Sequence, residues 1–141
     1  MTSEIVQALG GKGVFASRGR GIDLHEEVKK GFPTKSYRFL SRILSLTPRE
    51  LDVLLEVSLR TRRRWSGRAR LDPGTSDRLL RLARIYALAT TVLENDAHAV
   101  AWLRGPSEAL GGRTPLECAA TDIGAEWVTN MLHQMEYGVY A

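Results

Sequence analysis

From residue 23 onward, apolar side chains recur at intervals of three and four. No stretch alternates apolar and polar residues long enough to mark a half-buried strand. This spacing predicts an all-α fold. Asp23 is placed to cap a helix that runs to Lys30, with Gly31 as its stop. A second helix is expected over about Lys35 to Leu44, presenting Phe39, Leu40, Ile43 and Leu44 on one face. Thr47-Pro48-Arg49-Glu50 combines an N-cap, a first-turn proline and a capping-box glutamate. The helix it opens buries Leu51, Leu54 and Leu55 and ends near Glu56, because Ser58 starts another two residues on. Asp72-Pro73 opens a long helix through Leu79, Leu82, Tyr86, Ala89 and Val92-Leu93, expected to link two halves of the chain. Asn95-Asp96, Thr114-Pro115 and Thr121-Asp122 start three more. In the last, Ile123, Trp127, Met131 and Met135, with Val128 and Leu132, form a broad apolar stripe that ends at Gly138.

The first 22 residues differ. Gly10, Gly11, Gly13, Gly19 and Gly21 depress helix propensity and few apolar residues remain, so 1–22 is expected to be a flexible arm with at most a short helix at its start. Two domains should follow, 23–84 and 85–141. At 141 residues the chain is long enough for one sizeable core or two small ones.

Charge sharpens this division. Residues 1–37 carry six Lys/Arg against four Asp/Glu, residues 38–84 twelve against five, and residues 85–141 two against seven. The net +4 therefore hides a strongly cationic middle and an acidic tail, and the middle calls for a polyanion. Sixteen of the twenty cations are arginine, whose planar fork suits phosphate and guanine. Cys118 is the only cysteine, which excludes an intrachain disulfide. With no amino-terminal signal pattern and no long apolar run, a soluble cytoplasmic protein without membrane contact is expected.

Within the cationic middle, residues 48–67 have the rhythm of a helix-turn-helix and resemble its Xre-like class. A capped helix is followed by a turn at Glu56-Val57-Ser58 and a second helix carrying Arg60, Arg62, Arg63 and Arg64. Ser58 caps that second helix, and Val57 and Trp65 pack inward. Arg60 and the outward members of Arg62, Arg63 and Arg64 then meet phosphates or guanine edges, while Thr61 reaches a phosphate or a thymine methyl. Where such turns often carry glycine this chain has Glu56, which costs about 1–2 kcal/mol if the residue is left-handed. One such motif touches too little DNA alone, so a homodimer reading two half-sites of double-stranded operator is expected. About six phosphates neutralised across the dimer would give a log–log salt slope near −5. The competing readings of the arginines are a solvated helix face and a dock for an acidic protein.

The tail carries a second set of signals: Trp102-Leu103, Pro106, the run Ala109-Leu110-Gly111-Gly112-Arg113-Thr114-Pro115-Leu116-Glu117, Gly124, and the ending Glu136-Tyr137-Gly138-Val139-Tyr140. In this order and spacing they resemble the toxin-binding domain of the Xre/MbcA/ParS antitoxins. Gly31-Phe32-Pro33 and residues 76–83 are similar to the helix-turn-helix half of the same family, so the resemblance covers roughly 23–141. It implies a RES-domain toxin as partner, one that consumes NAD or transfers its ADP-ribose. It also implies an antitoxin that covers the toxin's NAD site, and repression of the shared operon. On that basis Gly111, Gly112 and Arg113 are expected to touch toxin, the glycines forming a tight loop and Arg113 meeting a carboxylate or carbonyl. Tyr137, Gly138, Val139, Tyr140 and Ala141 are expected to form a protruding end that reaches the nucleotide cleft. Alternatively, Trp102 and Leu110 are core and the glycines an ordinary loop.

Catalysis finds no support in the residues. His25, His98 and His133 lie in separate segments without metal-ligand spacing, Cys118 has apolar neighbours, and Gly10-Gly11-Lys12-Gly13 lacks the Gly-Lys-Ser/Thr ending of a phosphate loop. No enzyme, metal or cofactor is expected. The leading reading is an antitoxin that represses its own operon. A free-standing helix-turn-helix repressor whose tail only dimerises, and a protein-only adaptor, are the alternatives.

Overall fold

The computed structural model describes residues 2–15, 21–65, 67 and 70–138. Among them are nine α-helices: α1 (Thr2–Ala8), α2 (Leu24–Lys30), α3 (Thr34–Ile43), α4 (Pro48–Leu54), α5 (Leu59–Arg64), α6 (Pro73–Leu93), α7 (Asp96–Arg104), α8 (Pro115–Cys118) and α9 (Asp122–Glu136). The fold is all-α. The described residues contain no strand, only an isolated bridge between Pro33 and Arg70. The chain divides into two compact units, 1–83 and 84–141.

In the first unit, helix boundaries follow local capping chemistry. Asp23, Thr47 and Ser58 each accept a hydrogen bond from the backbone N–H three residues on, and Thr47 with Glu50 closes a full capping box. Gly31 stops α2 at φ 87°, and a Cβ there would run into the Leu71 carbonyl, so only glycine fits. That close approach brings two loops together. Leu71 donates its backbone N–H to the Phe32 carbonyl at 2.8 Å, Phe32 donates to Ser76 Oγ at 2.7 Å, and Arg70 Nη1 donates to the Gly31 carbonyl at 2.9 Å. Phe32, Leu40, Leu44, Leu51, Leu55, Leu79 and Leu82 form the core between them.

Two expectations are corrected here. The start of the chain is no free arm: α1 and a 3-10 turn at Gly11–Gly13 bury Ile5, Val6, Leu9 and Phe15, and the Phe15 ring meets Phe32 edge-on at 5.4 Å. Its apolar residues are few, but among the described ones Ile5, Val6, Ala8, Leu9 and Phe15 are buried. Residues 16–20 of the expected arm lie outside the described residues. On α3 the buried face is Ser36, Tyr37, Leu40 and Ser41, with Leu44 just beyond, whereas Phe39 and Ile43 are only half-buried. Two serines can occupy that face because each hydroxyl is satisfied, Ser36 on the Pro33 carbonyl and Ser41 on that of Arg38.

In the second unit α7, α8 and α9 start on Asn95, Thr114 and Thr121, each with its side-chain cap formed. Leu103, Leu110, Leu116, Val128 and Leu132 build the core, joined by the Cys118 thiol. Gly124 lets α9 lie against the end of α8, where any Cβ would collide with the Cys118 carbonyl.

Candidate functional site

Helix α5 is short, so its placement depends on what holds its two ends. Its N-terminus follows a turn in which Glu56 is left-handed at φ 54°. There Val57 donates its N–H to the Asp52 carbonyl at 2.8 Å, and the Val57 side chain is buried. This six-residue closure is the Schellman arrangement, with glutamate in the place that favours glycine. Ser58 Oγ accepts from Thr61 N–H at 3.0 Å and donates to Thr61 Oγ1 at 3.0 Å, so the Ser58 hydroxyl is committed to the cap. At the other end Trp65 packs edge-on against Tyr37, with ring centroids 4.9 Å apart.

The four arginines of α5 then part company. Arg60, Arg63 and Arg64 are exposed. Arg62 turns inward: its Nε lies 2.8 Å from Asp52 Oδ2, an ionic contact outside hydrogen-bond alignment. Asp52 is buried, and its other oxygen accepts from Tyr37 Oη at 2.6 Å. Burial raises the Tyr37 pKa above its ordinary value, and the Asp52 hydrogen bond and charge raise it further. The phenol therefore stays protonated and remains a donor. Sequence alone could not separate Arg62 from its neighbours, since the residue that claims it sits on α4. The free face of α5 thus offers Leu59, 51% exposed, with Arg60, Arg63 and Arg64, a composition suited to phosphates and base edges.

In the second unit, Gly111 and Gly112 are exposed and left-handed at φ 69° and 84°. The loop closes on itself: Gly112 N–H donates to the Ser107 carbonyl at 2.8 Å and Ser107 N–H to the Arg113 carbonyl at 3.0 Å. Arg113 Nε donates to the Leu110 carbonyl at 2.7 Å, and its guanidinium lies over the Trp127 ring, 5.7 Å from the centroid. Leu110 is buried and Trp102 half-buried, so these two serve packing. Tyr137 is 74% exposed and stacks on His133. Gly138, at φ 68°, follows it. Val139, Tyr140 and Ala141 lie outside the described residues.

The apolar stripe expected on α9 is split. Val128 and Leu132 are buried and Met131 and Met135 half-buried, but Ile123 and Trp127 stand 54% and 43% exposed. A three-and-four spacing fixes the width of a stripe, not which flank faces the core. Among the described residues no three His, Cys, Asp or Glu side chains gather into a metal site, and no helix is long and apolar enough to cross a membrane.

Comparison with known proteins gives these surfaces a family. Residues 23–84 match the antitoxin Xre-like helix-turn-helix domain, and residues 88–138 match the antitoxin Xre/MbcA/ParS C-terminal toxin-binding domain. The chain belongs to the Xre family of antitoxins. It is 33% identical over 118 residues to antitoxin Xre of Pseudomonas putida, covering 83% of this chain and 73% of that one. To antitoxin Xre of Yersinia enterocolitica it is 28% identical over 125 residues, covering 86% and 84%.

Proposed function

We propose that this chain neutralises a RES-domain toxin that acts on NAD by covering the toxin's active site, and that as a cytoplasmic homodimer it represses its own operon. In this reading residues 85–141 supply toxin binding and dimerisation. The DNA-binding face is α5, with Arg60, Arg63 and Arg64 on phosphates and guanine edges, Ser58 and Thr61 shaping its start, and Arg62 holding it in place. Gly111, Gly112, Arg113 and the ending from Tyr137 through Gly138, Val139 and Tyr140 to Ala141 make the toxin contact.

The observation that carries the reading is the pairing, in one chain, of a capped helix with three outward arginines and a domain matched as toxin-binding. The seven acids against two cations in residues 85–141 make that half unsuited to DNA and leave the polyanion to the first unit.

Co-expression tests the proposal. The chain should restore growth to cells expressing the RES-type protein encoded beside it and preserve their NAD pool, and should bind the DNA upstream of the pair. Unrelieved toxicity would end the neutralisation claim. Equal binding to upstream and unrelated DNA would end the repressor claim.

A further inference from the structure

We propose that the outer side of α3, with Lys35, Arg38 and Arg42, is a second DNA contact that grips the phosphate backbone beside the groove read by α5. This rests on the DNA binding proposed above and carries it outside the helix-turn-helix pair of α4 and α5.

Helix α3 carries no Asp or Glu. Its exposed residues are Lys35, Arg38 and Arg42, and every other position is buried or half-buried. At about 100° per residue the three lie within an arc of about 60° and span about 10 Å along the helix. Among the described residues none of the three pairs with an acid. The opposite side of the helix is the buried face of Ser36, Tyr37, Leu40 and Ser41, so the cations have no part in the core. Three like charges this close repel one another, and an anion laid along them relieves the repulsion.

The stripe adjoins the candidate DNA face. Around α3, Arg38 follows Tyr37 and Ser41, and Trp65, one residue beyond the end of α5, packs on Tyr37 with centroids 4.9 Å apart. Tyr37 also donates to Asp52 on α4 at 2.6 Å, so α3 is fastened to both helices of the motif. Phosphates continue along each strand past the groove, where cations beside a reading helix meet them. Composition selects this occupant. A protein interface centres on apolar side chains, whereas every exposed position of α3 is a cation.

The test follows the anisotropy of upstream and unrelated duplexes with the full chain and its Lys35→Ala/Arg38→Ala/Arg42→Ala variant across a salt series. The log–log salt slope should fall in magnitude by at least about one per protomer, and affinity for the two duplexes should weaken by the same factor, because backbone contacts carry no sequence. The charge-conserving variant Lys35→Arg/Arg38→Lys/Arg42→Lys should keep the parent's slope. Arg38→Gln/Arg42→Gln, held to the same threshold, stands in if the alanine variant fails to fold. A smaller change in slope overturns the stripe as a DNA contact, and if toxin binding weakens instead the stripe belongs to that protein. A loss confined to the upstream duplex, or an equal loss in the charge-conserving variant, overturns it too. If the unaltered chain shows no salt-dependent DNA binding, the proposed DNA function itself fails and the stripe falls with it.

Discussion

Tyr37 and Asp52 are joined by a buried 2.6 Å hydrogen bond that ties α3 to α4, and the free oxygen of the same carboxylate holds Arg62 on α5. One acid thus ties α3, α4 and α5 to one another. Such an arrangement is strong only while complete, since removing one member leaves a buried polar group of Tyr37 or Asp52 without compensation.

Asp52→Ala should therefore destabilise the protein by about 2 kcal/mol, through the lost Tyr37 hydrogen bond and an Arg62 contact that solvent already screens in part. Tyr37→Phe leaves the ion pair standing and should cost about 1–2 kcal/mol. Urea unfolding checks both, and a larger loss for Tyr37→Phe than for Asp52→Ala would contradict the central place given to the carboxylate.

The arginines of α5 should separate by assay. Arg60→Ala, Arg63→Ala and Arg64→Ala are each expected to reduce the salt slope of DNA binding by about one per protomer, because each lost phosphate contact retains one counterion. Their melting temperatures should stay near that of the parent. Arg62→Ala should lower the melting temperature first and DNA affinity only as a consequence. Fluorescence anisotropy across a salt series, beside thermal melts, distinguishes the two patterns.

Glu56→Gly should stabilise the protein by up to about 1 kcal/mol, since a left-handed glutamate is replaced by the residue without that steric penalty. The gain is limited because glycine also loses more freedom on folding. Paired denaturant curves are sufficient to measure it.

Acid should loosen the start of α6. The Asp72 carboxylate accepts from Thr75 N–H at 2.9 Å and from Thr75 Oγ1 at 2.8 Å. Burial opposes ionisation there, but the Thr75 hydrogen bonds, with the nearby Arg78 charge, hold the pKa below its ordinary 3.8. A lowered folded-state pKa means that the contribution is complete above about pH 4 and disappears as the pH falls through the folded value. Asp72→Ala should cost about 1 kcal/mol at neutral pH, and the difference from the parent should shrink towards pH 2. Melting curves from pH 7 down to pH 2 would show the convergence.

What could be read from the chain and what could not divide along physical lines. Asp23, Thr47, Ser58, Asn95, Thr114 and Thr121 mark helix starts because a cap is settled within three residues, and Gly31, Glu56 and Gly138 mark turns for the same reason. Ile5, Leu9 and Phe15 were hidden by the glycines around them, since their partner Phe32 is distant in sequence. Arg62 was indistinguishable from Arg63 until Asp52 claimed it. Ile123 and Trp127 repeat with the same period as Val128 and Leu132, and it is packing, that of α9 on α8 included, that separates covered from uncovered.

The loop from Ser107 to Arg113 is exposed at its tip yet cross-linked by its own amides and by the Arg113 side chain. Such a loop has little conformational freedom left to surrender, so an encounter with a partner is limited by orientation rather than by local ordering. Its shape is set by its own bonds, before any partner arrives.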